Sequence, residues 1–214
     1  MKKILRRNFI TLIAFAAIAA ICLPATLLHA ALSTPAQAPD RAFVTGQLLV
    51  ASPAMGDPRF FHAVILMVQH DQKGALGIVI NRLLGERPLA SVLDAVGEKD
   101  AGVTGNVPIF LGGPVQPYIG FVLHTTDYRR PGMIDIDGHV AMTSDKEILR
   151  DIGRKQGPRK SLIAFGYAGW AAGQLECELK LGAWITATQD EHLIFDEDRA
   201  KVWDEATRRR TQDL

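Results

Sequence analysis

Patterns that carry chemistry are scarce in this chain of 214 residues. No Gly-x-Ser-x-Gly elbow presents a serine nucleophile. The histidines form no His-x-His or His-Glu-x-x-His pair, the spacings that bring two imidazoles onto one ion. No metal or other cofactor is therefore expected. There is no helix-turn-helix pattern to enter a DNA groove. Cysteine is limited to Cys22 and Cys177, too few for a disulfide framework. Charge of either sign is missing between Arg7 and Asp40, and that gap divides the chain.

Lys2, Lys3, Arg6 and Arg7 make a basic start, followed by an Ala-rich apolar stretch from Phe9 to Leu23 and a small-residue region ending Ala36-Gln37-Ala38. Basic, apolar, then A-x-A is the layout of a secretory signal peptide. Arg6-Arg7-Asn8-Phe9-Ile10 resembles the twin-arginine export signal. Residues 1–38 are read as such a signal or, if uncleaved, as an N-terminal anchor meeting the membrane through residues 9–30. Either form places residues 39–214 on the periplasmic side. The alternative is a true start near Val44, which would leave a cytoplasmic protein. Without residues 1–38 the body has 20 basic against 23 acidic residues, a net charge of −3. With Arg208-Arg209-Arg210 as its one basic run, it offers little to DNA. A mature chain cut after residue 38 would keep one cysteine, Cys177, and could form no internal disulfide; Cys177 lies between Glu176 and Glu178. Those carboxylates disfavour a thiolate, so a structural, largely buried thiol is expected.

The body reads as one α+β domain. Strands are predicted at 46–52, 62–69, 75–81, 107–111, 120–125, 139–142, 161–167 and 184–188. Asp71-Gln72-Lys73-Gly74 reads as a hairpin turn, and residues 107–111 and 120–125 as a strand pair around Gly112-Gly113-Pro114. Helices are predicted over 89–96, after a capping box at Ser144-Asp145-Lys146-Glu147, over 170–179, and over 196–210. His62 and His70 sit eight apart on one predicted strand, about 26 Å, too far to share an ion. Asp135 and Asp137 read as a strand edge and turn, lacking the other ligands of a calcium loop.

Five stretches occur in order: Gly46–Pro53 with Asp57-Pro58-Arg59-Phe60; Gly74-Ala75-Leu76-Gly77-Ile78-Val79-Ile80-Asn81; Gly112-Gly113-Pro114-Val115 with Gly120–His124; Thr143-Ser144; and Gly166-Tyr167-Ala168-Gly169-Trp170 running on to Gln174 and Glu176. Together they resemble the signatures of the YqgE/AlgH-like family of bacterial proteins. The resemblance implies a bifurcated mixed sheet forming a pseudo-barrel with flanking helices. It implies no reaction, and the regulator label some relatives carry finds no support in these residues.

A non-catalytic binding or regulatory protein is the expected class, with an unidentified protein or small ligand as partner. Candidate binding residues are Asp57, Arg59, Phe60, Asn81, Gly112, Gly113, Pro114, His124, Tyr167, Trp170, Gln174 and Glu176. Arg59 is expected to pair with Asp57, and Gly112-Gly113 to serve a tight turn rather than an anion nest. Trp170 is expected to fill the core, with Gln174 bonding an orphaned backbone group. The alternatives are a cytoplasmic transcriptional regulator and a hydrolase built from Ser52, Asp57, His70 and His124. Convergence of those four would favour the hydrolase, and scatter the binder.

Overall fold

A computed structural model describes residues 43–98 and 102–210 of the chain. The expectations for residues 1–38 lie outside the described residues. The described chain runs β1 (Leu48–Ala51), β2 (Val64–Asp71), β3 (Gly74–Val79), β4 (Leu83–Pro88), α1 (Leu89–Ala95), β5 (Asn106–Leu111), β6 (Val115–Thr125), β7 (Ile134–Asp135), β8 (Val140–Thr143), α2 (Glu147–Gly153), β9 (Ser161–Ala171), α3 (Gln174–Lys180), β10 (Trp184–Ala187), α4 (Glu191–Phe195) and α5 (Val202–Arg208). Ten strands form one sheet in the order β10-β1-β2-β3-β9-β6-β8-β7, with β5 on β9 and β4 on β5. It is α+β and not closed: the pairings are antiparallel except β5 with β9, and the end strands β10 and β7 do not pair with each other.

The apolar runs of β1 and β2 are continuous because both of their faces are covered. Leu48, Val50, Val64, Leu66 and Val68 face a central core closed by Leu193 and Ile194 of α4 and Val202 and Ala206 of α5. Leu49, Ala51, Ile65 and Met67 face a second core with Trp170, Leu175 and Trp184, under α3. A third core lies where Leu89, Val92 and Leu93 of α1 and Ile148 and Leu149 of α2 cover Ile109, Val122 and Ile163. Burial of each such leucine, isoleucine or valine contributes about 1.5–3 kcal/mol.

Strand β9 belongs to all three cores and carries the fork of the sheet. Residues 163–165 pair with β5, and residues 168–171 pair with β3. Between them Gly166 takes left-handed backbone at φ 75°, a conformation that favours glycine. Before it Leu162 and Ala164 face the central core; after it Tyr167 does, while Ala168 and Trp170 face the second. One bulged residue has moved the side chains to the opposite face.

Several expected boundaries move. The strand does not break at Gly166 and restart as a helix; β9 runs through both Gly166 and Gly169 to Ala171, and α3 starts at Gln174 after a left-handed Gly173. Trp170 is therefore a strand residue and shares no helical face with Gln174. Ser144 caps nothing in α2; Asp145 Oδ1 accepts from Glu147 N–H instead, at 3.0 Å. The last predicted helix is two, α4 and α5. β5 and β6 do not pair with each other, because β9 lies between them. His62 lies before β2, not in it, at φ 55°. β4 was not predicted. The hairpin at Asp71–Gly74 and helix α1 fall where expected. At the end of β10, Ala187 pairs with Leu48 of β1 on one side and bridges to Arg210 on the other.

Candidate functional site

Most polar groups among the sequence candidates turn inward. Asp57 Oδ1 caps the short 3-10 turn Pro58–Phe60 by accepting Arg59 N–H at 2.9 Å, and the Arg59 guanidinium returns to the same carboxylate at 2.6–3.1 Å. The hydrogen bond from Arg59 holds the Asp57 carboxyl below its ordinary range. Phe60 packs edge-on against Trp184, with ring centres 5.4 Å apart. The expected ion pair is present.

The cluster around α3 is a closed network. Trp170 is buried, and its indole N–H donates to Glu178 Oε2 at 2.8 Å, where the Trp184 indole also donates at 2.8 Å. Gln174 donates to Glu178 Oε1 at 2.9 Å and accepts from Ala171 N–H at 3.0 Å. Gln174 thus takes the backbone donor left over where β9 ends, as expected. Glu176 points its Oε1 at His70 Nε2, 3.7 Å away. His70 Nδ1 accepts Val44 N–H at 3.2 Å, so the proton sits on Nε2. Cys177 is half-buried on α3, a correction to the largely buried thiol expected.

Gly112 and Gly113 are buried at the fork, where Gly112 N–H donates to Phe165 O at 2.7 Å and Gly112 O accepts from Val79 N–H at 2.9 Å. A Cβ on Gly113 would lie 2.1 Å from Tyr167 C, and one on Gly112 would lie 2.3 Å from Gly166 O. These glycines admit backbone against backbone. The connection is a close crossing at the fork, neither a hairpin turn nor an anion nest. Pro114 continues it into β6, and Tyr167 packs edge-on to Phe121, with centres 6.0 Å apart.

The four hydrolase candidates do not converge. Ser52 and Asp57 follow β1, near the start of β2, since Val50 pairs with Val64. His70 is near the far end of β2, about 20 Å along the strand. His124 lies on β6, with β3 and β9 between β6 and β2. It is fully buried, burial lowers its pKa, and its Nδ1 meets Thr125 O at 3.0 Å. No group of three or more His, Cys, Asp or Glu positioned to hold a metal occurs among the described residues.

Two open hollows stand out among the described residues. The larger, about 340 Å³, lies between α1, β6 and the start of α2. Its walls are mainly apolar, and two of its polar groups are engaged: Thr143 Oγ accepts Asp145 N–H at 3.1 Å, and Lys146 pairs with Glu98 at 3.3 Å. The smaller, about 250 Å³, is lined by His62, Asn81, Arg82, Arg199, Trp203 and Asp204. Here the His62 ring is stacked between Phe61 and Trp203, at centre distances of 4.0 and 4.1 Å. Trp203 is anchored by its N–H to Ala51 O at 2.8 Å. Asn81 donates to His62 O at 2.9 Å and accepts Val64 N–H at 3.0 Å, while Arg82 donates to Phe61 O. Those bonds hold the left-handed His62 in place. Sequence reasoning found Asn81 and the loop leading in, and missed His62, Arg82, Arg199 and Trp203. An aromatic-rich Phe60-Phe61-His62 was the available signal; nothing in the sequence ties it to residues 199–204.

A forked, mixed-sheet α+β domain with an open polar–aromatic pocket is thus defined. The chain belongs to the AlgH-like family, whose model (DUF179, AlgH-like) matches residues 48–214. It is 43% identical over 154 residues to a UPF0301 protein of Rhodospirillum rubrum, covering 72% of this chain and 80% of that one. A UPF0301 protein of Jannaschia sp. is 42% identical over 165 residues, covering 76% and 86%. The solution structure of the AlgH protein from Pseudomonas aeruginosa superimposes with a TM-score of 0.69 at 37% identity, over 84% of this chain and 92% of that one. The crystal structure of protein DIP2367 from Corynebacterium diphtheriae shares the fold, with a TM-score of 0.63 at 21% identity, over 79% and 88%.

Proposed function

We propose that this protein is a non-catalytic binding protein whose recognition site is the pocket lined by His62, Asn81, Arg82, Arg199 and Trp203. The observation that carries this reading is the difference in hydrogen-bonding state between the pocket and the rest of the candidate surface. Around α3, the Trp170, Trp184, Gln174 and Glu178 side chains are bonded to one another or to the backbone. In the pocket, the His62 ring nitrogens and most N–H groups of Arg82 have no partner among the described residues. The scatter of Ser52, Asp57, His70 and His124 supports binding over hydrolysis. Paired arginines speak against a DNA contact: Arg208 bonds Glu205, and Arg209 bonds Asp190 and Glu205.

Export through residues 1–38 is part of the same reading. Val44 is buried and its N–H serves His70. A chain starting at that residue would set a charged amine in the place of a buried amide, which supports a start upstream.

An amide-detected NMR titration with a metabolite extract of the native host tests the pocket. Shifts concentrated at His62, Asn81, Arg82, Arg199 and Trp203, with the added compounds recovered unchanged, are expected. Shifts elsewhere only, or turnover of a compound, would overturn the proposal.

A further inference from the structure

We infer that the pocket takes an oxyanion, the carboxylate or phosphate group of a small molecule, with Arg82 as its principal ligand and Arg199 as a fixed positive wall. This inference rests on the pocket being the recognition site and names the chemistry of what enters it.

Arg199 is half-buried and bonded to neutral oxygens: Nε to Glu197 O at 2.7 Å, Nη1 to Ile194 O at 2.9 Å and Ile80 O at 3.3 Å, and Nη2 again to Glu197 O. No ion pair to its guanidinium occurs among the described residues. Carbonyls satisfy its hydrogens without cancelling its charge, so the wall keeps a positive field in a partly desolvated place. Burial pulls its pKa down, while the charges of Glu197, Asp196 and Asp198 push it up. One Nη2 hydrogen is left over once these bonds are counted.

Arg82 adds a second guanidinium, committed only through one nitrogen to Phe61 O. Its remaining donors keep the planar fork that suits two oxygens of a carboxylate or phosphate. Asn81 spends its oxygen on Val64 and one amide hydrogen on His62 O, leaving one hydrogen over. Both faces of the His62 ring are covered, so its edge nitrogens are what it can offer a ligand. Against these stands Asp204, the one carboxylate of the lining. Within the lining two guanidiniums face one carboxylate, and Glu197, Asp196 and Asp198, which also act on Arg199, lie outside it, so the lining itself favours an anion. The strained His62 backbone adds weight, since such conformations persist where their surroundings hold them and cluster at ligand sites.

The test is an NMR titration of the full chain with inorganic phosphate and separately with acetate, at low and at raised sodium chloride. Both anions should move His62, Asn81, Arg82 and Trp203 resonances, more weakly at high salt. Arg82→Gln should weaken phosphate binding about tenfold, the size expected for loss of a charged hydrogen bond, and Arg82→Lys should fall between. Arg87→Gln, on the exposed edge strand β4, should bind as the parent does. An unchanged melting temperature in Arg82→Gln separates lost binding from lost fold. If that variant unfolds, competition between phosphate and acetate for the same resonances of the parent decides instead, with no competition overturning the inference. Equal phosphate affinity in folded Arg82→Gln and parent overturns it. A pocket that responds to uncharged metabolites and ignores both anions overturns the oxyanion and leaves the pocket standing. A pocket that responds to nothing sinks both readings.

Discussion

Glu178 holds two tryptophans and a glutamine with one carboxylate. Removing it in Glu178→Ala leaves the indole N–H groups of Trp170 and Trp184 without their acceptor. An orphaned buried donor costs about 1–3 kcal/mol, so urea unfolding should show a loss of about 2–5 kcal/mol. A loss under about 1 kcal/mol would mean the network contributes little. Tyr128 offers a second residue-scale measurement. Its hydroxyl donates to Asp151 Oδ2 at 2.7 Å; burial first, then Asp151, raises its pKa to about 12. The folded protein keeps a proton that the unfolded chain releases near pH 10. That contribution is complete below about pH 10 and fades as pH climbs through about 12. Stability should therefore fall across this window, and Tyr128→Phe should flatten that part of the profile. Part of this was legible in the sequence. The Asp57–Arg59 pair is local, and Gln174 sits three residues from the amide it serves. Glu178 was not, because its donors come from β9 and β10 and only the tertiary fold brings them to one oxygen.

Elements were legible where burial is simple. Strands β1, β2 and β3 are buried runs, and β-branched apolar residues announce them. Strand β4 was hidden because it lies at an edge with one partner, exposes Leu83 and Leu84, and contains a bulge at Gly85. The start of α3 was misplaced for a different reason. Gly166 and Gly169 look like chain breakers in the sequence, yet one sets a bulge and both lie within the strand. Their fork partner supplies the sharpest prediction at this scale. Gly113→Ala forces a Cβ to 2.1 Å from Tyr167 C, with backbone on both sides and nothing flexible to yield. It should cost more than about 4 kcal/mol or prevent folding. Gly132→Ala, also at positive φ but with open space around it, should cost about 1–2 kcal/mol. Similar melting temperatures for the two variants would refute the fork as described.

For the whole molecule, composition and motif order were enough to predict an α+β domain, because fold class follows from the run of elements. The pocket was not legible at this scale. Its residues come from the loop before β2, the end of β3 and the start of α5, and no period in the sequence links them. Among the described residues no helix is long and apolar enough to cross a membrane. Fractionation of the native host should find a shortened protein outside the cytoplasm, and Arg6→Lys with Arg7→Lys together should retain it inside. A full-length or Val44-starting product in the cytoplasm of the parent strain would refute export.

Ala187 stands between Leu48 and Arg210, so the start of β1 and the end of the described body are about two strand spacings, or 10 Å, apart. A glycine linker long enough to run back along residues 43–47 as well can join the two ends. The chain should accept circular permutation, with new ends opened at the Asp71–Gly74 hairpin. A reporter fused after Arg210 would emerge beside the strand that begins the body.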